Sequence, residues 1–121
     1  MSTRSSIAIL NADGSVDSIY NHSDSYPDWL GKQLVTNYNS TKAAKSIIKL
    51  GDASFIDSSL DSSIFYKRDM NRKDTEALTW KNKNAWLKAA PDKYWADFLY
   101  LWDGIKWICW NYNKRKINLY S

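Results

Sequence analysis

The sequence predicts an α+β domain, with an antiparallel sheet of two hairpins and a short strand, and two to three helices packed on one of its faces. Three observations predict it. Apolar runs flank an Asp-Gly pair twice, at Asp13-Gly14 and at Asp103-Gly104, and Asp-Gly suits the positive φ angles that a tight hairpin turn requires. Between these hairpins lie segments whose apolar residues recur at helical spacing. The chain has 121 residues, enough for one domain over 1–121 with a real core and no need of a metal or disulfide staple.

The elements follow in order. "SSIAIL" and "VDSIY" bracket the first turn, and "NADGS" also fits a longer loop. Pro27 suits a helix's first turn, where its missing N–H costs nothing. Leu30, Leu34 and Tyr38 then fall on one helical face. A second helix carries Ala43, Ala44, Ile47 and Ile48, with Asn39 or Ser40 as its N-cap and Gly51 at its C-terminal stop. Phe55, Ile56 and Leu60 are the apolar anchors of a serine- and aspartate-rich connection, and Ile64–Tyr66 reads as a short strand. The charged stretch "MNRKDTEALTW" has no clear period and reads as a loop. "KNKNAWLKAA" reads as a short third helix ended by Pro91, because the residue before a proline disfavours helical angles.

The closing hairpin, "ADFLYLW" and "IKWICWNY", carries three of the seven tryptophans. A two-residue turn pairs Trp102 with Ile105 and Tyr100 with Trp107. One face then holds Phe98, Tyr100, Trp102, Ile105, Trp107 and Cys109, and the other Leu99, Leu101, Ile108 and Trp110. A sheet with one wet face alternates apolar with polar residues, and this hairpin does not. Covering both faces takes much material from a small domain, so the expectation is partial exposure of one aromatic face near the turn. The tail "NKRKINLYS" extends the second strand or forms an arm.

Composition limits the function classes. The net charge is +4, divided as −2 over residues 1–64 and +6 over 65–121. The basic half offers a positive field to an acidic partner, either nucleic acid or protein, or is simply a solvated lysine-rich face. The single cysteine, Cys109, excludes an internal disulfide. No run approaches the ~20 apolar residues of a membrane helix, and the expected location is the cytoplasm. His22 is the only histidine. Beside Asp24, Asp28 or Cys109 it offers a base or a metal ligand, but structural zinc takes four Cys or His ligands. No phosphate loop, nucleophile elbow or dinucleotide fingerprint is present. The reading is a non-enzyme without cofactor or metal.

"RSSIAI", "DGSVDSIYNHSDSYP", "LGKQLVTNYN", "IIKLGD", "IFYKRD" and "WDGIKW" together make a pattern. It resembles a group of small uncharacterised proteins found in phages and bacterial genomes. Other members often carry Cys-His-Trp-Asp-Gly after the tyrosine. Here "NHSDSYP" keeps His22 and Asp24, with Asn21, Ser23 and Ser25 in the other places. The resemblance implies an α+β fold, a phage or mobile-element origin and hence the host cytoplasm. It implies no activity.

Trp, Tyr and Arg dominate binding hot spots. The expected partner-contact set is therefore Tyr100, Trp102, Lys106, Trp107 and Trp110, with Lys67, Arg68, Arg72, Lys73, Lys114 and Arg115. The favoured function is binding that inhibits or modulates a host protein, for example in a defence or nucleic-acid pathway. A second reading is single-stranded nucleic-acid binding, by tryptophan stacking beside a basic patch. A homodimer through the same patch is the third.

Overall fold

The computed structural model of the chain describes residues 3–120. Strands β1 (Ser5–Leu10) and β2 (Val16–Asn21) form the first hairpin, with Leu10 opposite Val16. Its turn is the longer loop, Asn11–Ser15. The Asn11 N–H donates to the Ser15 carbonyl at 2.8 Å, and Asp13 accepts from both the N–H and the hydroxyl of Ser15.

Pro27–Gly31 forms a single π-helical turn that runs into α1 (Lys32–Asn37). Helix α2 (Thr41–Leu50) is capped by Ser40, whose Oγ accepts from the Ala43 N–H at 3.1 Å. Strands β3 (Ala53–Phe55) and β4 (Ile64–Phe65) follow, then the short α3 (Tyr66–Met70). The stretch read as a loop contains strand β5 (Leu78–Trp80), which pairs with β2.

Helix α4 spans Lys83–Tyr94 and runs through Pro91. Proline removes one rung of a helix. Here Trp86, Ala90 and Tyr94 share a face and are all buried, and that packing carries the helix one turn further.

The closing hairpin is β6 (Phe98–Trp102) and β7 (Trp107–Asn111). Its loop has four residues, not two. Asp103 Oδ1 accepts from the N–H groups of Ile105 and Lys106 at 2.8 Å each, so Trp102 faces Trp107 and Tyr100 faces Cys109. Ile105 leaves the sheet face and is 83% exposed at the tip. Strand β8 (Lys116–Ile117) adds the tail to β7.

Among the described residues, eight strands form one mixed sheet. Its order is β4-β3-β2-β1-β6-β7-β8, with β5 beside β2 off that path. The expected α+β class stands, but β1 pairs with β6 and β2 with β3 in parallel. Helices cover both faces instead of one. Leu34, Ala44, Ile47 and Ile48 pack with Ile7, Ile19, Tyr100, Trp102, Trp107 and Cys109 on the first face. Trp86, Ala90 and Tyr94 pack with Ala8, Val16, Leu99, Leu101 and Trp110 on the second. This explains the unbroken apolar pattern of β6 and β7, because a strand buried on both sides has no wet face.

Candidate binding cleft

The expected aromatic surface is core. Tyr100, Trp102, Trp107 and Trp110 are all buried, Trp107 to 2% exposure. The polar atoms of three of them are spent internally. Trp102 Nε1 donates to Thr41 Oγ1 at 2.8 Å, Trp107 Nε1 to the Tyr38 carbonyl at 3.0 Å, and Tyr100 Oη to the Ser25 carbonyl at 2.7 Å.

The basic residues remain outside but do not join. Lys67, Arg68, Arg72 and Lys73 lie in and after α3, beside β4 at one edge of the sheet. Lys114 and Arg115 lie in the β7–β8 turn at the opposite edge. Several are already engaged. Lys67 pairs with Glu76 at 3.3 Å and Arg68 with Asp69 at 2.9 Å. The Arg72 guanidinium lies 5.4 Å from the centre of the Tyr66 ring. Lys106 is exposed at the hairpin tip beside Ile105. No single basic patch forms from the two groups.

The stretch 21–25 is structural. Asn21 Nδ2 donates to Ser25 Oγ at 2.8 Å, and Ser5 Oγ donates to the same atom at 2.9 Å. His22 Nδ1 meets the Tyr20 hydroxyl at 2.6 Å. Among the described residues, no three His, Cys, Asp or Glu side chains converge on a metal position. Cys109 sits in the first core layer, and burial pushes its thiol up to about 12, leaving almost no thiolate at neutral pH.

A concavity lies elsewhere, at the end of the sheet where β1, β3 and β6 begin and β2 ends. It is a cleft of about 460 Å³ lined by Arg4, Tyr20, Asp52, Asp74, Glu76, Leu78, Lys93, Tyr94 and Trp95. The parallel β1–β6 pair fixes its rim. The Arg4 carbonyl accepts from the Asp97 N–H at 2.8 Å, and the Arg4 N–H donates to Asp97 Oδ2 at 3.1 Å. Tyr20 and Tyr94 stack at 6.0 Å and 12° to form one wall. The Tyr94 hydroxyl is held by Ser18 Oγ at 2.9 Å, and Ser18 Oγ also accepts from Trp80 Nε1 at 2.7 Å. The loop Asp74–Glu76 also lines the cleft. It is tied down where the Asp52 N–H donates to the Thr75 carbonyl at 2.7 Å.

No protein-family model matches this chain, and no curated protein or solved structure matches it. The cleft therefore stands on its own chemistry.

Two of its residues are held against local stability. The first is Trp95. It terminates α4 in the left-handed region, with φ +52, and is 73% exposed. Glycine or asparagine normally takes this place, and a side chain there costs about 1–2 kcal/mol. The Arg4 guanidinium lies 5.7 Å from its ring centre, a cation–π contact of ~0.5–1 kcal/mol at an exposed site. Trp95→Gly relieves the backbone strain, loses this contact and adds chain entropy of ~0.5–1 kcal/mol to the unfolded state. These terms nearly cancel. The unfolding free energy from a urea titration is expected within ~1 kcal/mol of wild type, although a tryptophan has been removed.

The second is Asp52. One carboxylate oxygen accepts from the Tyr20 N–H at 2.9 Å. Among the described residues the other oxygen has no hydrogen-bond partner, and the group makes no ion pair. Burial raises its pKa to about 6, against the Tyr20 N–H; Glu76 adds to the rise and Lys93 opposes it. A carboxyl whose folded pKa lies above its unfolded value binds protons more tightly when folded. Its charge destabilises the fold above pH ~6, and this cost disappears as pH falls below the unfolded value of 3.8. Asp52→Asn keeps the acceptor and removes the charge. It is expected to be the more stable form at pH 7 by on the order of 1 kcal/mol, after allowance for solvent screening. That advantage fades toward pH 4. Urea unfolding of both proteins at the two pH values checks this, and an advantage that does not change with pH contradicts it.

The sequence reading missed Trp95 and Asp52. Their signals were present but weak. Trp95 occupies a helix stop without glycine, and Asp52 follows the Gly51 stop of α2.

Proposed function

We propose that this chain is a non-catalytic binding protein that engages a partner protein through the cleft face centred on Trp95. In the phage setting that its sequence resembles, the act of binding inhibits or modulates a host protein. The observation that carries the reading is the exposed, left-handed Trp95 beside Arg4. Tryptophan and arginine are the residue types that dominate binding hot spots, and backbone strain concentrates at functional sites. The uncompensated Asp52 in the same cleft supports the reading, because perturbed carboxyls cluster at such sites.

Capture from host lysate with tagged protein, split into nuclease-treated and untreated halves, tests the proposal. The expected result is one stoichiometric protein that survives nuclease and is lost with Trp95→Ala. Recovery that depends on nucleic acid replaces the proposal with single-stranded nucleic-acid binding, and that binding then weakens as salt rises.

A further inference from the structure

Resting on the reading of this cleft as the partner-binding face, we propose that it receives the guanidinium of an arginine side chain from the partner, with the free oxygen of Asp52 as its acceptor. Among the described residues that acceptor is unpaired and open to the cleft, and a half-buried carboxylate without a cation is costly. The walls suit a flat cation. Tyr20 and Tyr94 stack with their ring planes 12° apart, and a planar guanidinium lies well along aromatic faces. Trp95 at the rim already holds one, from Arg4.

The charges around Asp52 favour a cation over an anion. Asp74 and Glu76 line the cleft from the loop, and Arg4 and Lys93 line it from β1's start and α4. The lining carries three carboxylates, Asp52, Asp74 and Glu76, against two cations, Arg4 and Lys93. Lys67 pairs with Glu76 at 3.3 Å, so Asp52 is the half-buried carboxylate left without an ion pair among the described residues. Arg4 lies over the Trp95 ring and also acts on the Tyr20 phenol. Tyr20 and Tyr94 have their phenols raised by burial and are neutral at physiological pH. His22 meets the Tyr20 hydroxyl at 2.6 Å, so His22→Gln is run beside Asp52→Asn in the pH comparison and is expected to leave the pH dependence in place. The volume of about 460 Å³ admits one such side chain with part of its backbone.

The test is an amide NMR titration of the whole chain with Nα-acetyl-arginine amide. The matching citrulline and lysine amides serve as a neutral isostere and a round cation. The arginine probe is expected to shift the Tyr20 and Asp52 amides and the Trp95 indole N–H, with the other two binding roughly tenfold more weakly or less. Asp52→Asn lowers arginine affinity by roughly tenfold. Moving from pH 7 to pH 5 weakens it several-fold, because Asp52 with a pKa of about 6 takes up a proton. Equal shifts from citrulline, equal shifts from lysine, an Asp52→Asn protein that binds as well, or no shift at all each overturn the assignment. If the probe fails while partner capture still needs Trp95, the arginine assignment falls and the Trp95 face stands. If capture is indifferent to Trp95, the face itself falls.

Discussion

Trp107→Ala is expected to cost ~3–5 kcal/mol of stability, a large share of the 5–15 kcal/mol typical of a whole domain. Trp107 is 2% exposed and packs edge-on against Trp102 at 5.6 Å between ring centres. Its indole N–H satisfies the Tyr38 carbonyl where α1 ends. Removing the ring opens a cavity between sheet and helices and strips that carbonyl of one of its two donors, leaving the Ser40 N–H at 3.0 Å. Urea unfolding followed by circular dichroism measures the loss. A change below ~1 kcal/mol would mean that the ring faces water. The contrast with Trp95 is diagnostic. Removal of one tryptophan collapses the core, and removal of the other leaves stability nearly unchanged.

Gly51→Ala is the second large effect. Gly51 ends α2 with φ +85 and ψ −159, a conformation essentially closed to residues with a side chain. Forcing it costs about 1–3 kcal/mol from the backbone alone. A methyl group there would also collide with the Thr75 carbonyl. The loop Asp74–Glu76 must then lift, breaking the bond from the Asp52 N–H to Thr75. Both lower stability and an opened cleft wall are expected. Hydrogen exchange at the Asp52 amide reads the second effect separately, since exchange there should accelerate beyond the global change. Unchanged protection at Asp52 would mean that the wall does not depend on Gly51.

The elements with local signals were legible in the sequence. Both hairpins, the Ser40 cap and the Gly51 stop lie where turn and cap chemistry puts them. The two faces of β6 and β7 also separate as their alternation implies, apart from Ile105. Long-range facts were not legible. The parallel pairing of β1 with β6 joins residues about ninety positions apart, and no local pattern encodes it. That pairing makes β1 and β6 central, and α4 then covers the second face. The prolongation of α4 past Pro91 also depends on tertiary packing, which outweighs local propensity. The local pattern of the aromatic hairpin therefore implies half exposure, although the fold supplies a second layer. The cleft was illegible for the same reason. It gathers Arg4, Tyr20, Asp52, Glu76 and Trp95 from five separate segments.

Side-by-side capture of the lysate partner by wild-type, Trp95→Gly and Ile105→Gly proteins, each at equal folded concentration, tests the central claim most directly. Both substituted side chains are large, apolar and exposed, at 73% and 83%, but Trp95 is in the cleft and Ile105 is at the hairpin tip. The account predicts that Trp95→Gly loses the partner while remaining as stable as wild type, and that Ile105→Gly retains it. Full capture by Trp95→Gly with loss by Ile105→Gly would contradict it, and would return the binding surface to the tip of the aromatic hairpin.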